Sequence, residues 1–255
     1  MARKPLAHGH RPARPEWIVE DPDFTAEREA TVLELLSDSP VPAPRLLAAD
    51  PDGALCDVPT LLITRLPGRP PALPRNMDSF LAQLAQVLSD IHAVSESARE
   101  QIPSYRNYHD LRSATPLQWA RRPKRWERAL ELASAEPPPG PRCFIHRDYH
   151  PENTLWSRGK LTGVVDWTSG SWGPAAVDVA HMRWNLALTY GLDVADEFLR
   201  LHRSLGSDVS DDQHYWDIVS VLDLVFDLDP YDWPRFDLER LQRYVESVVT
   251  SVDGY

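Results

Sequence analysis

Apolar positions along the chain recur first at helical spacing, then at strand spacing, then at helical spacing again. Phe24, Ala26, Ala30, Leu33 and Leu36 share one face and predict a helix over about 23–38, closed by the Pro40, Pro42, Pro44 segment. Residues 46–49 and 60–66 flank a Pro51-Asp52-Gly53 turn and predict a hairpin. Its second strand is nearly all apolar and is therefore expected to be buried. Pro67-Gly68-Arg69-Pro70-Pro71 stops that strand and sets the best domain boundary, dividing a small α/β part (1–68) from a mostly helical one (69–255). Phe80, Leu84, Val87, Leu88, Ile91 and Val94 form the stripe of a central core helix with Asn76 or Asp78 as its cap. A further helix is expected over about 116–135, ending at the proline cluster 137–141. Short strands near 143–145, 154–156 and 161–165 follow, then helices near 174–190, 193–205, 211–227 and 237–252. Residues 1–22 show no apolar periodicity and read as an irregular lead-in.

Composition narrows the classes. A chain of 255 residues with 42% apolar side chains can bury a sizeable core. A formal charge of -11 makes nucleic-acid binding a poor expectation, because that affinity rests on Lys and Arg neutralising phosphates. No stretch approaches the roughly 20 apolar residues of a membrane span, and no signal-peptide core follows the basic start, so a cytoplasmic protein without membrane contact is expected. Cys56 and Cys143 match no metal or redox spacing and read as reduced core residues. Of the 27 basic residues only Lys4, Lys124 and Lys160 are lysines.

The chemistry concentrates in His146-Arg147-Asp148-Tyr149-His150-Pro151-Glu152-Asn153 and, after a short hairpin, Val164-Val165-Asp166-Trp167. The spacing matches the kinase catalytic loop H-R-D-x-x-x-x-N followed by a metal-binding Asp at a strand end. Phosphoryl transfer needs a carboxylate that meets the acceptor hydroxyl, here Asp148, and separate oxygen ligands for Mg2+ on ATP or GTP, here Asn153 and Asp166. His146 and His150 would support the site. A hydrolytic metal set of His146, Asp148, His150 and Asp166 is disfavoured, because Pro151 makes this segment a loop and not an H-E-x-x-H helix. Only eleven residues separate Asp166 from Asp178, with no A-P-E. A peptide substrate has no docking segment there, and a small-molecule hydroxyl acceptor is expected instead. Asp208, Asp211, Asp212, Asp217, Asp223, Asp227 and Asp229, set among Tyr215, Trp216 and Trp233, would suit a cationic acceptor, although a solvated acidic face is the plainer reading.

With Gly173-Pro174-Ala175-Ala176-Val177-Asp178 added, residues 24–205 resemble the aminoglycoside phosphotransferase family of kinase-like small-molecule phosphotransferases. The resemblance implies an α+β, protein-kinase-like two-lobe fold and an amino or sugar alcohol as acceptor. It implies that Asp178 braces the catalytic loop and that the backbone at Arg65 and Leu66 receives the adenine. Arg28-Glu29-Ala30 resembles the first-lobe helix, with Glu29 as the helix carboxylate near the nucleotide.

The chain departs from the pattern at its start. Gly9 is the only glycine before Gly53 and Lys4 the only lysine before Lys124, so neither a glycine-rich loop nor the strand lysine that partners the helix Glu is visible. Arg11 or Arg14 is a weak substitute. Either the opening of the first lobe lies outside this sequence, or the chain is a nucleotide-binding-deficient pseudokinase that serves as a small-molecule or protein binding module.

Overall fold

The computed structural model describes residues 25–114, 119–206, 212–226 and 235–254. Lys4, Arg11, Arg14, Asp208, Asp211, Asp227, Asp229 and Trp233 lie outside them.

The first part of the fold is small. Helix α1 (Ala26–Leu36) starts where the Thr25 hydroxyl accepts the Arg28 N–H at 3.2 Å. It buries Ala30, Leu33 and Leu36 of the predicted stripe together with Val32, while Ala26 is half-buried and Phe24 lies outside the described residues. Strands β1 (Leu46–Asp50) and β2 (Thr60–Ile63) pair antiparallel in the predicted hairpin. Burial of β2 is not observed: Leu62 is 58% and Ile63 38% exposed. Among the described residues the sheet has two strands, and β2 has β1 as its one neighbouring strand. Cys56, in the loop between them, is exposed and not a core residue; Cys143 is half-buried, and both thiols are free.

The boundary segment is tied down by backbone geometry. Gly68 has φ +115, and a Cβ there would lie 2.7 Å from Thr162 Oγ1 and 2.9 Å from the Trp156 backbone, so only glycine fits. Arg69 and Trp156 exchange backbone hydrogen bonds at 3.1 and 2.8 Å. The connection is thereby clamped to the hairpin of β4 (Thr154–Ser157) and β5 (Lys160–Val164).

The second part is built on helix α2 (Met77–His92), capped by Asn76 and not Asp78, with Phe80, Leu81, Leu84, Ala85, Leu88 and Ile91 in the core. Helix α3 is shorter than the pattern predicted, spanning Pro123–Ala133. Proline excludes the preceding residue from helical φ/ψ, so Arg122 (φ -125, ψ 72) ends the irregular segment and Pro123 takes the first helical position. Strand β3 (Arg142–Ile145) pairs antiparallel with β6 (Ser171–Pro174), a strand that pattern reading overlooked because its apolar content is one tryptophan.

Helices α4 (Ala175–Tyr190), α5 (Leu192–Ser204), α6 (Gln213–Val225) and α7 (Arg235–Asp253) pack together with α4 at the centre. Because α4 is buried nearly all round, its one arginine must be paired inside: Arg183 bonds Asp217 of α6 and, at 2.6 Å, Asp196 of α5. Asp223 is also committed inward, accepting the N–H groups of Tyr108 and His109 at 2.9 and 2.8 Å. Neither Asp217 nor Asp223 therefore belongs to an acidic face open to a cationic acceptor. No helix of the described residues is long and apolar enough to cross a membrane.

Candidate functional site

The loop from His146 to Asn153 runs out of β3 and is held from both sides. From above, Tyr149 is fully buried and its hydroxyl donates to the Leu84 carbonyl of α2 at 3.0 Å. From below, the completely buried Asp178 of α4 accepts the backbone N–H of His146 at 2.9 Å and of Arg147 at 2.6 Å, and it meets His92 Nε2 at 3.1 Å. These bonds hold Arg147 in the left-handed region (φ 70), which an L side chain adopts only under constraint. The twist turns the chain so that Asp148 faces outward while Tyr149 faces in. Asp178 thereby ties α4 to the start of the loop through two backbone N–H groups.

His146 is fully buried, its ring tilted against that of Trp167 with centroids 4.4 Å apart. Its Nδ1 accepts the Asp148 N–H at 3.3 Å, so Nε2 carries the proton and donates to the Val165 carbonyl at 3.1 Å. One imidazole thereby joins the loop to the end of β5. Trp167 is a packing residue, buried and donating from Nε1 to the Val164 carbonyl.

Asp148 keeps about a third of its side chain exposed (35%), and both its oxygens are held. Asn153 Nδ2 donates to Oδ2 at 3.0 Å and to the Asp148 carbonyl at 2.9 Å. His181 Nε2 lies 3.0 Å from Oδ1, and His150 Nε2 lies 3.8 Å from the same oxygen. Enclosure by protein pushes the carboxyl upward, but the His181 hydrogen bond and the His150 charge outweigh it, holding Asp148 well below the usual range. It is ionised at any physiological pH. Because Asn153 spends its amide nitrogen on Asp148, its carbonyl oxygen points away from that carboxylate. The backbone links Asn153 to Asp166: Val165 N–H donates to the Asn153 backbone carbonyl at 2.9 Å, and Asp166 follows in the left-handed region (φ 67). Asp166 Oδ1 accepts the Thr168 hydroxyl at 2.9 Å, fixing its rotamer.

Glu29 of α1 lies beside Asp166 and accepts the Trp167 N–H. Burial, then the Asp166 charge, push its carboxyl up to about 7. Arg28 secures that approach, donating to the carbonyls of Ser169 (3.2 Å) and Gly170 (3.1 Å) and to Ser171 Oγ (2.8 Å). Arg65 is exposed on the segment after β2, and Leu66 packs against Gly163 of β5. The structure gathers His146, Asp148, His150, Asn153, Asp166 and Asp178 into one constellation, with Glu29 at its edge and Arg65 and Leu66 on the connection between the two parts.

Two features escaped the sequence reading. His181 sits three residues after Asp178 on α4, a spacing that puts both on one helix face, and this periodicity was the available signal. The segment 104–110 had no motif, yet it covers the loop. Arg147 Nη2 donates to the Arg106 carbonyl at 2.7 Å, and its guanidinium lies 3.7 Å from the ring centre of Tyr108, itself 44% exposed.

Two buried histidines, His150 of the loop and His202 of α5, set a pH dependence. Burial holds both His150 and His202 down at about 4. The unfolded chain charges such groups from about pH 6.5 downward, so their contribution to stability is lost as pH falls from 6.5 towards 4, by up to about 1.4 kcal/mol per pH unit each. Glu29 has the opposite sign, since its raised value lets the folded chain hold a proton the unfolded chain has released above 4.5. Two groups against one leave stability rising with pH between about 5 and 6.5. Denaturant midpoints across that range should show the rise, and Glu29→Gln should steepen it.

A family model described as the phosphotransferase enzyme family matches residues 8–209. No curated protein sequence matches the chain. Among solved structures, the chain is similar to a thermostable mutant of aminoglycoside phosphotransferase APH(4)-Ia in ternary complex with AMP-PNP and hygromycin B. The identity is 18% and the TM-score 0.66 over 91% of this chain and 84% of that one. It is similar to macrolide 2'-phosphotransferase MphH from Brachybacterium faecium at 19% identity and TM-score 0.59, covering 96% and 83% of the two chains. It is similar to aminoglycoside-3'-phosphotransferase of type VIII at 22% identity and TM-score 0.54, covering 75% and 78%.

Proposed function

The chain belongs to the phosphotransferase enzyme family and has its kinase-like two-lobe α+β fold, and from that premise we propose that it transfers the γ-phosphoryl group of ATP or GTP to a hydroxyl of a small amino or sugar alcohol in the cytoplasm. The observation that carries this reading is the paired fixation of Asp148: one oxygen on His181, the other on Asn153, with its third of exposed surface facing out. An ionised carboxylate clamped at both oxygens is a positioned acceptor for one proton.

Asp148 orients the incoming hydroxyl. Held well below the usual carboxylate range, it is a weak base, which suits a loose transition state in which the hydroxyl proton departs late. His181 and Asn153 keep the carboxylate from rotating, and Asp178 keeps the Arg147 twist that presents it. The Asn153 side-chain carbonyl and the Asp166 carboxylate are hard oxygen donors, a set that fits Mg2+, and the Val165 N–H bond to the Asn153 backbone carbonyl ties their two residues together. When bound, that ion would neutralise charge on the nucleotide phosphates. The backbone at Arg65 and Leu66, on the clamped connection, would take the adenine, and Glu29 would lie at the phosphate end beside Asp166. The short path from Asp166 through β6 to Asp178 favours a small acceptor, and Tyr108 offers it an exposed aromatic wall.

Nucleotide binding is the first test. Unfolding of the full chain should shift upward with ATP or GTP only when Mg2+ is present, as expected for a ligand that binds the folded state. Asp166→Ala should abolish the shift. A chain that no nucleotide stabilises, with or without the ion, contradicts the proposal.

A further inference from the structure

Asp148 Oδ1 faces two imidazole nitrogens at once. His181 Nε2 is 3.0 Å away and His150 Nε2 3.8 Å away, and all three donor atoms lie within 4.8 Å of one another. Metal–ligand bonds of about 2.0–2.1 Å in a tetrahedral zinc site put the donors roughly 3.3 Å apart. The distances here bracket that value, so small side-chain rotations close the three donors around one ion. The set is also held in place. His150 is 4% exposed and flanked by Pro151, His181 packs edge-on against Trp184 at 5.1 Å, and Asn153 occupies Oδ2, leaving Oδ1 for the histidines.

We propose that Asp148, His150 and His181 form a binding site for a zinc-like transition-metal cation, separate from the Asn153 and Asp166 oxygens, and that the ion switches off phosphotransfer by occupying the base. Donor chemistry separates the two sites. Two imidazoles and one carboxylate select borderline cations such as Zn2+ or Co2+, whereas carbonyl and carboxylate oxygens suit Mg2+. With three protein ligands the ion keeps an open position, reached through the exposed side of Asp148. An ion on Oδ1 removes the lone pair that the acceptor hydroxyl needs and leaves the nucleotide ligands untouched. Inhibition should therefore compete with acceptor and not with nucleotide. The inhibitory half rests on Asp148 being the base; the binding half does not.

The test uses the full chain with Zn2+ or Co2+ as the only added metal and no nucleotide. Equilibrium dialysis should give one Zn2+ per chain, weakened by an order of magnitude or more in both His150→Ala and His181→Ala. In the unaltered chain Co2+ should give the intense visible absorption of a tetrahedral nitrogen and oxygen site, and Asp148→Asn should diminish it. This second reading holds even where an alanine variant fails to fold. No bound Zn2+, binding that both histidine variants leave unchanged, or a weak octahedral Co2+ spectrum would each overturn the site. Once phosphotransfer is measured, Zn2+ should lower it at least tenfold, with relief by excess acceptor; activity indifferent to a bound ion refutes the inhibitory half. A chain that binds the ion but never transfers phosphate counts against the phosphotransferase reading and leaves the site standing.

Discussion

Asp148→Asn should lower phosphotransfer by about 10²–10⁴-fold, the usual contribution of a positioned general base, while nucleotide binding and fold persist. The amide has nearly the shape of the carboxylate and can still accept one of the two hydrogen bonds from His181 and Asn153, but it cannot take a proton. One charge-assisted bond is lost on a partly exposed group, so the cost to stability should be only about 1 kcal/mol. Turnover, Mg-nucleotide thermal shift and unfolding midpoint measured on one preparation would separate these effects. A binding module would show no change in any functional readout.

Asp178→Ala should behave differently, losing stability and activity together. The carboxylate is fully buried, and its removal strands the N–H groups of His146 and Arg147 and the His92 imidazole without an acceptor. Breaking a buried charged cluster from one side costs about 3–5 kcal/mol. For a domain this size that lowers the melting temperature by about 2–4 °C per kcal/mol. Activity should fall with it, because the Arg147 N–H loses the acceptor that holds its left-handed backbone, and Asp148 turns with it. Burial raises the Asp178 carboxyl, the His92 hydrogen bond and the backbone donors lower it, and the net displacement is downward. Its contribution is then present above the ordinary carboxylate range near pH 4 and lost as pH falls through the depressed folded value. Asp178→Asn should retain part of the stability, since one amide oxygen can still accept an N–H. Calorimetry of the three proteins checks the order.

The catalytic-loop pattern was legible because its residues lie close along the chain. Asp148 and Asn153 share one loop, and the hairpin brings the end of β5 back to it, where the Val165 N–H meets the Asn153 backbone carbonyl; the bonds from the Asn153 amide to Asp148 were not anticipated. Helix α2 was legible for a similar reason, since its stripe of apolar residues leaves one way to pack. Features decided by distant partners were not legible. The aspartates of α6 looked like one acidic face, but Arg183 lies 34 residues before Asp217 and draws it inward, and Asp223 is claimed by backbone 114 residues away. Counting carboxylates cannot reveal which have buried partners. The exposure of β2 depends on what covers the sheet, which apolar composition does not specify. Pro123 was the exception, a local signal that outranked apolar periodicity in setting where α3 begins.

The most direct measurement is transfer of label. The full chain would be incubated with Mg2+ and ATP or GTP radiolabelled on the γ-phosphate, against a panel of amino and sugar alcohols, beside Asp148→Asn. The account predicts label on the hydroxyl of at least one acceptor, dependent on Mg2+ and nearly absent in the variant. Label that moves equally well in Asp148→Asn, or bound nucleotide and acceptor between which no label ever moves, would contradict it.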